Sequence, residues 1–265
     1  MAAGGMAKDS GAAKPAIRRI SPEAPWTWLA TAWKQIWQAP AISLGYGFVF
    51  AAMSAGLVVL LWVFAALPLI LPLIGGFLLI GPLLAVGLYE LARRLSAGDP
   101  LALRPILLVK TAAPTQIAFM GALLLVAYLA WVRIAFLLVM LFIGIGEDLP
   151  PLSAFFTELF FTWDGIGLLA TGTAIGGIIA FVIFAVSAVS IPMLMDRDID
   201  AITAMITSVA AVRANLGPML LWGWLILLLI ACGVATGFLG LILTFPLVGM
   251  ATWHAYKSLI GEEEG

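Results

Sequence analysis

From Thr115 to Gly146 the chain runs for 32 residues with a single charge, Arg133. As a helix this stretch would be roughly 48 Å long, against the ~30 Å of hydrocarbon in a bilayer. It reads as a membrane span that must tilt, bend or project into water. Five further apolar runs approach or exceed the ~20 residues a crossing needs: 41–66, 69–95, 165–195, 216–234 and 238–260. Composition agrees. Hydrophobic residues make up 63% and charged residues 10%, whereas a soluble domain carries about 25% charged residues.

The placement of charge orders these runs. Of 13 basic residues, 12 fall before the first run, between the second and third, between the fourth and fifth, or at the end of the sixth. The alternate loops hold Glu147, Asp148, Glu158 and Asp164 and no base. The positive-inside rule then predicts six spans with both termini cytoplasmic. Residues 1–25 read as a disordered cytoplasmic tail, 26–260 as one six-span membrane domain and 261–265 as an acidic tail. Cys232 is the sole cysteine, so no intramolecular disulfide is available.

Three segments between the spans read as interfacial amphipathic helices. In the first, Trp26, Leu29, Ala30, Trp33, Ile36 and Trp37 form an apolar stripe opposite Thr27, Thr31, Lys34, Gln35 and Gln38. The second covers Asp99–Ala113 and is poorer. The third, Ile199–Arg213, sets Ile199, Ile202, Met205, Ile206 and Val209 against Asp200, Thr203, Thr207 and Ser208. The loop before Trp163, rich in phenylalanine, reads as resting on the opposite membrane surface. Each interfacial helix precedes a proline (Pro40, Pro114, Pro218) and two spans. This predicts a threefold parallel repeat within an all-α membrane protein. An internal echo aligns Pro82 with Pro246, Tyr89 with Trp253 and Glu90 with His254.

Few residues could carry chemistry. Arg133 lies inside a span, where it reads either as an anion or proton site or as a clamp on freed backbone carbonyls. Glu90, Arg93 and Arg94 share one helical face at a span end and read as a solvated cluster. His254, the sole histidine, reads as a hydrogen-bonded structural residue. Asp196, Arg197, Asp198 and Asp200 follow the fourth span. Pro192 predicts a kink between Ser187 and Ile191, Asp198 or Asp200 a helix N-cap, and Arg197 a partner for Glu90. One histidine and one cysteine do not suffice for bis-histidine haem or copper centres. No phosphate-binding loop, nucleophile elbow or zinc-protease motif occurs. No cofactor, metal or enzymatic activity is expected, and no nucleic-acid patch is present.

Four stretches together resemble the domain-of-unknown-function 2189 family of uncharacterised bacterial integral membrane proteins. They are Gly81–Arg94, Ile191–Met205, Gly217–Gly223 and Ala251–Tyr256, within a resemblance over residues 26–260. The resemblance implies a helical inner-membrane protein and no activity. The sequence as a whole leads to a non-enzymatic scaffold or accessory subunit whose partners are membrane lipids and another membrane complex. The alternative is a small-solute transporter or lipid-handling protein with a cavity near Arg133. A polar cavity containing Arg133 would favour transport; a dry, closed bundle would favour scaffolding.

Overall fold

A computed structural model describes residues 16–64, 70–144 and 152–261. Leu67, between the first two apolar runs, the acidic pair Glu147 and Asp148, and the acidic C-terminal residues lie outside them. Twelve helices form in the described chain: α1 (Ala24–Gln38), α2 (Pro40–Val63), α3 (Ile70–Leu84), α4 (Val86–Ala97), α5 (Leu103–Leu107), α6 (Pro114–Ile143), α7 (Leu152–Phe161), α8 (Trp163–Ser187), α9 (Ser190–Asp196), α10 (Ala201–Ala214), α11 (Leu216–Ala235) and α12 (Leu241–Leu259). Four units are long and apolar enough to cross a bilayer: α2, α6, α8 continued by α9, and α11.

The two remaining apolar runs take other forms. The second splits into α3 and α4 at Ala85. Leu88 N–H bonds Ala85 O, so Leu84 O receives no helical partner; the Tyr46 hydroxyl donates to it at 2.7 Å instead. Gly87 makes that approach feasible. A Cβ there would lie 2.7 Å from the Tyr46 ring and 2.8 Å from Ile106 O. The sixth run, α12, has 19 residues, of which 12 are buried. It is the central strut, packed by α1, α2, α4 and α11.

Close packing depends on small residues where helices cross. A Cβ on Gly47 would fall 2.1 Å from the backbone carbonyl oxygen of Ile242. α2 therefore lies directly on α12, and the Phe50 and Phe245 rings stack beside the crossing. Gly249 of α12 similarly accepts Leu88 of α4. Trp28 of α1 meets Trp222 of α11 edge to face at 5.6 Å. α6 packs on α3 and α8, and α7 folds back on α8. A small second core forms there from Leu138, Leu159 and Leu168.

The expected kink at Pro192 is present. α8 ends at Ser187 and α9 begins at Ser190. Ser208 of α10 bridges the break: its hydroxyl donates to Ala185 O at 2.7 Å and accepts from Val189 N–H at 3.3 Å. Ser190 donates to Val186 O and Ala204 O.

In the helices expected to lie at the interface, most of the apolar stripe is outward-facing, and Ile36 is buried. In α1 the buried residues are Pro25, Trp28, Ala32, Gln35 and Ile36, while Trp26, Trp33 and Trp37 are exposed. In α10, Thr207 and Ser208 are buried beside Ala204 and Ala211, and Ile202 and Ile206 are exposed. In α10 small and polar groups thus face protein and the isoleucines face outward; in α1 Trp28 and Ile36 are buried with Gln35, and Thr27, Thr31, Lys34 and Gln38 are exposed. Asp99–Ala113 contains only the five-residue α5, so the unit of helix, proline and span is clear for α1–α2 and α10–α11 and reduced in the middle.

Candidate functional site

Residues near both termini meet at one end of the bundle, the termini end. Ile17 and Ile260 form an antiparallel bridge. Arg18 N–H bonds Leu259 O at 2.8 Å, and Gly261 N–H bonds Ala16 O at 2.9 Å. Asn215, between α10 and α11, holds the incoming chain by accepting from Ile20 N–H and donating to Arg18 O. Residues 16–20, read from the sequence as part of a tail, are built into this end.

Most of the polar residues singled out in the sequence collect here. Glu90 is buried, its side chain only 4% exposed. Arg93 grips it with two bonds of 2.8 Å, and Arg94 Nε adds one of 2.6 Å. Charge-assisted, forked bonds of this kind are the strong class. Arg94 also donates to Pro100 O. The cluster is therefore a packed structural joint, not the solvated group its position at a helix end suggested. The i+3 and i+4 arginines occupy both carboxylate oxygens, which leaves Glu90 no need of Arg197. Arg197 Nη2 instead donates to Gly261 O at 2.6 Å.

His254 reaches Gln35 Oε1 at 2.8 Å, and Gln35 Nε2 donates to Ser96 Oγ at 3.1 Å. One side-chain relay so ties α12 to α1 and α4. Asp196 accepts from the Tyr256 hydroxyl at 2.7 Å and from Lys257 at 3.4 Å. Asp200 caps α10, accepting from Thr203 N–H at 2.8 Å and its hydroxyl at 2.6 Å. Those bonds hold its carboxyl below the ordinary aspartate value. Asp198 follows in the short link before the cap. Among the described residues, no three His, Cys, Asp or Glu side chains come together as a metal site would need.

A cavity opens beside this end. It has a volume of about 370 Å³ and lies between α3–α4, α8, α11 and α12, within the roughly 300–1,000 Å³ of ordinary ligand pockets. Its wall is apolar, with Phe50, Leu79, Pro82, Phe184, Ile226 and Phe245 among the lining. Phe181, Leu220, Trp224 and Leu227 line it and are also exposed, so the cavity opens sideways between α8 and α11. The lining hydroxyls of Ser187 and Thr252 are taken by carbonyls of their own helices. Tyr89 and Trp222, each only 1% exposed, also belong to the lining. Among the described residues the fully buried side-chain oxygens without a hydrogen-bond partner are Ser43 Oγ and Thr244 Oγ1. Arg133 does not line this cavity. It sits on the outward side of α6, exposed, with no hydrogen bond or ion pair among the described residues.

Residues 69–196 match the family model described as "Predicted integral membrane protein (DUF2189)". The family resembled in sequence is thus the one whose model matches, from α3 to α9. The matched region contains the stretch from Gly81 to Arg94 and the start of that from Ile191; the stretches at 217–223 and 251–256 lie beyond it. No curated protein and no solved structure matches. With four units able to cross a bilayer, the chain is an integral membrane protein.

Proposed function

We propose that the protein is a non-enzymatic, lipid-handling membrane protein that takes one acyl chain sideways from the bilayer into the cavity between α8 and α11. The observation that carries this is an apolar, laterally open wall whose lining includes two residues able to donate a hydrogen bond, Tyr89 and Trp222. A ligand with an apolar body fills such a wall, and one oxygen acceptor on it, such as an acyl ester, can take a hydrogen bond from either donor. A small polar solute does not match the apolar wall, and the Ser187 and Thr252 hydroxyls are already bonded to their own helices.

The topology that goes with this function has six crossings: α2, α3–α4, α6, α8–α9, α11 and α12. Its support is the gathering of Arg18, Arg93, Arg94, Arg197 and Lys257 at the termini end, which the positive-inside rule assigns to the cytoplasm of a bacterial inner membrane. The outward tryptophans of α1 and the isoleucines of α10 suit helices that rest in the headgroup layer.

Gly177 supplies the test. It lines the cavity, and a Cβ there would meet nothing within 4 Å. Gly177→Leu should plug the cavity without disturbing the helix. In proteoliposomes containing a phosphatidylcholine with a photoreactive diazirine acyl chain, adducts on peptides from α8 and α11 should fall at least several-fold in the variant. Equal labelling of the two proteins would sink the proposal.

A further inference from the structure

The close contacts of α6 set the level of Arg133 along the bundle. Gly176 of α8 is covered by the Trp131 ring, and Gly167 by Phe142; a Cβ at either would be 2.7 Å from the ring concerned. α6 and α8 are therefore antiparallel, with Trp131 level with Gly176 and Phe142 level with Gly167. On this register Arg133 is level with Ile175. Ile175 lies about 18 Å of helix from Trp163, where α8 begins. Trp163 is 89% exposed at one end, as a residue of the interfacial aromatic belt would be. With a hydrocarbon core of ~30 Å, Arg133 stands near its centre. An arginine side chain snorkels outward, but from the centre it does not reach the headgroups.

The surroundings of Arg133 are apolar. Leu129 and Leu137, one turn to either side, are 54% and 64% exposed, and Val126 and Met140 extend the same stripe. Ala130, also exposed, keeps one flank low enough for another backbone to come close. An arginine at the centre of a span costs about 2.5–3.5 kcal/mol on the insertion scale. No group of the described chain offsets that cost, and the cavity is elsewhere.

We propose that the Arg133 face of α6 is a docking surface for a transmembrane helix of another membrane protein that carries an Asp or Glu near the middle of its span. Charge complementarity selects this occupant. A second copy of the chain does not supply it: a symmetric α6–α6 contact opposes two arginines. The chain's own carboxylates lie at the termini end or in the opposite loops, not at the level of Arg133. A lipid phosphate does not come to that depth. The proposal is independent of the acyl-chain cavity, which lies between other helices.

The experiment uses the intact protein with a donor dye on its sole cysteine, Cys232, which is exposed. The probes are acceptor-labelled, leucine-rich transmembrane peptides with a central Glu or a central Leu, in vesicles of phosphatidylcholine alone or with phosphatidylglycerol. Energy transfer above the level of random mixing is expected for the Glu peptide and not for the Leu peptide. It should drop to the random level in Arg133→Leu and persist in Arg133→Lys. Melting of Arg133→Leu in detergent should match or exceed that of the unaltered protein, so lost transfer does not reflect misfolding. Equal transfer for both peptides overturns the proposal. So does transfer to the Glu peptide that survives Arg133→Leu. An effect of Arg133 seen only with phosphatidylglycerol and shared by both peptides overturns it in favour of a lipid contact.

Discussion

Gly47→Ala and Gly45→Ala form a matched pair on α2, and the contact between α2 and α12 predicts opposite outcomes for them. Both sites are interior to the same helix, and each change gains about 0.5–1 kcal/mol from replacing glycine in a helix. That contribution cancels in the comparison. Gly45 is exposed, and a Cβ there meets nothing within 4 Å. A Cβ at Gly47 would lie 2.1 Å from Ile242 O, 2.7 Å from its carbonyl carbon and 2.9 Å from its Cα. All three are backbone atoms of the central helix, so no side-chain rotation relieves the clash. α2 must move away by more than 1 Å to restore ordinary contact, roughly the overpacking case that costs about 1–3 kcal/mol. The displacement also separates Phe50 from Phe245, whose ring centroids are 3.5 Å apart and which both line the cavity. Thermal unfolding in mild detergent, followed by tryptophan emission, should place Gly45→Ala at or above the parent. Gly47→Ala should be less stable than Gly45→Ala by that 1–3 kcal/mol, with weaker acyl-chain photolabelling. If the two variants melt together, α2 and α12 do not cross at Gly47 and the packing described for them is wrong.

Glu90→Gln should destabilise the protein. Stripping a fully buried ion pair of one partner costs about 3–5 kcal/mol, and with Arg93 37% and Arg94 20% exposed roughly half of that is expected; a melting temperature equal to the parent's would remove the joint from the account. Asp200→Ala should cost about 1 kcal/mol as a lost N-cap. Because the Asp200 carboxyl is held low in the folded chain, its contribution is present above the unfolded pKa and fades as pH falls through the folded value; the gap between parent and variant should close in acid, and a gap constant down to low pH contradicts the cap. Reporter fusions after Lys110 and Arg213 should read cytoplasmic and one near Pro151 external; a cytoplasmic signal at Pro151 ends the six-crossing topology.

What was legible in the sequence was local. The i+3 and i+4 spacing of Arg93 and Arg94 from Glu90 identified the ionic cluster, because a helix fixes those distances by itself. The kink ahead of Pro192 and the cap at Asp200 were legible for the same reason: a missing N–H and a short acceptor act on their own turn. Contacts between distant segments left no comparable signal. Gln35 and His254 are 219 residues apart, and each alone resembles any polar residue near a helix end. The cavity arises where the curves of four helices fail to meet, which is a property of packing and not of any one segment.

The small and polar inner face of α10 has a physical cause. In water, burial of apolar area drives helices together, so the apolar stripe marks the inner face. In a bilayer the lipid tails are as apolar as leucine, and that drive is absent; close packing of small residues and hydrogen bonds between helices take its place. Ser208 illustrates the difference. It sits on the side of α10 that reads as solvent-facing, yet it is fully buried and spans the break between α8 and α9. Gln35 does the same for α1, α4 and α12. By this logic a polar residue on such a helix marks an inward contact, and a polar residue that nevertheless faces outward calls for a partner from outside the chain. Arg133 is that residue: it shares the outward stripe of α6 with Leu129 and Leu137, where every neighbour is suited to lipid and it alone is not.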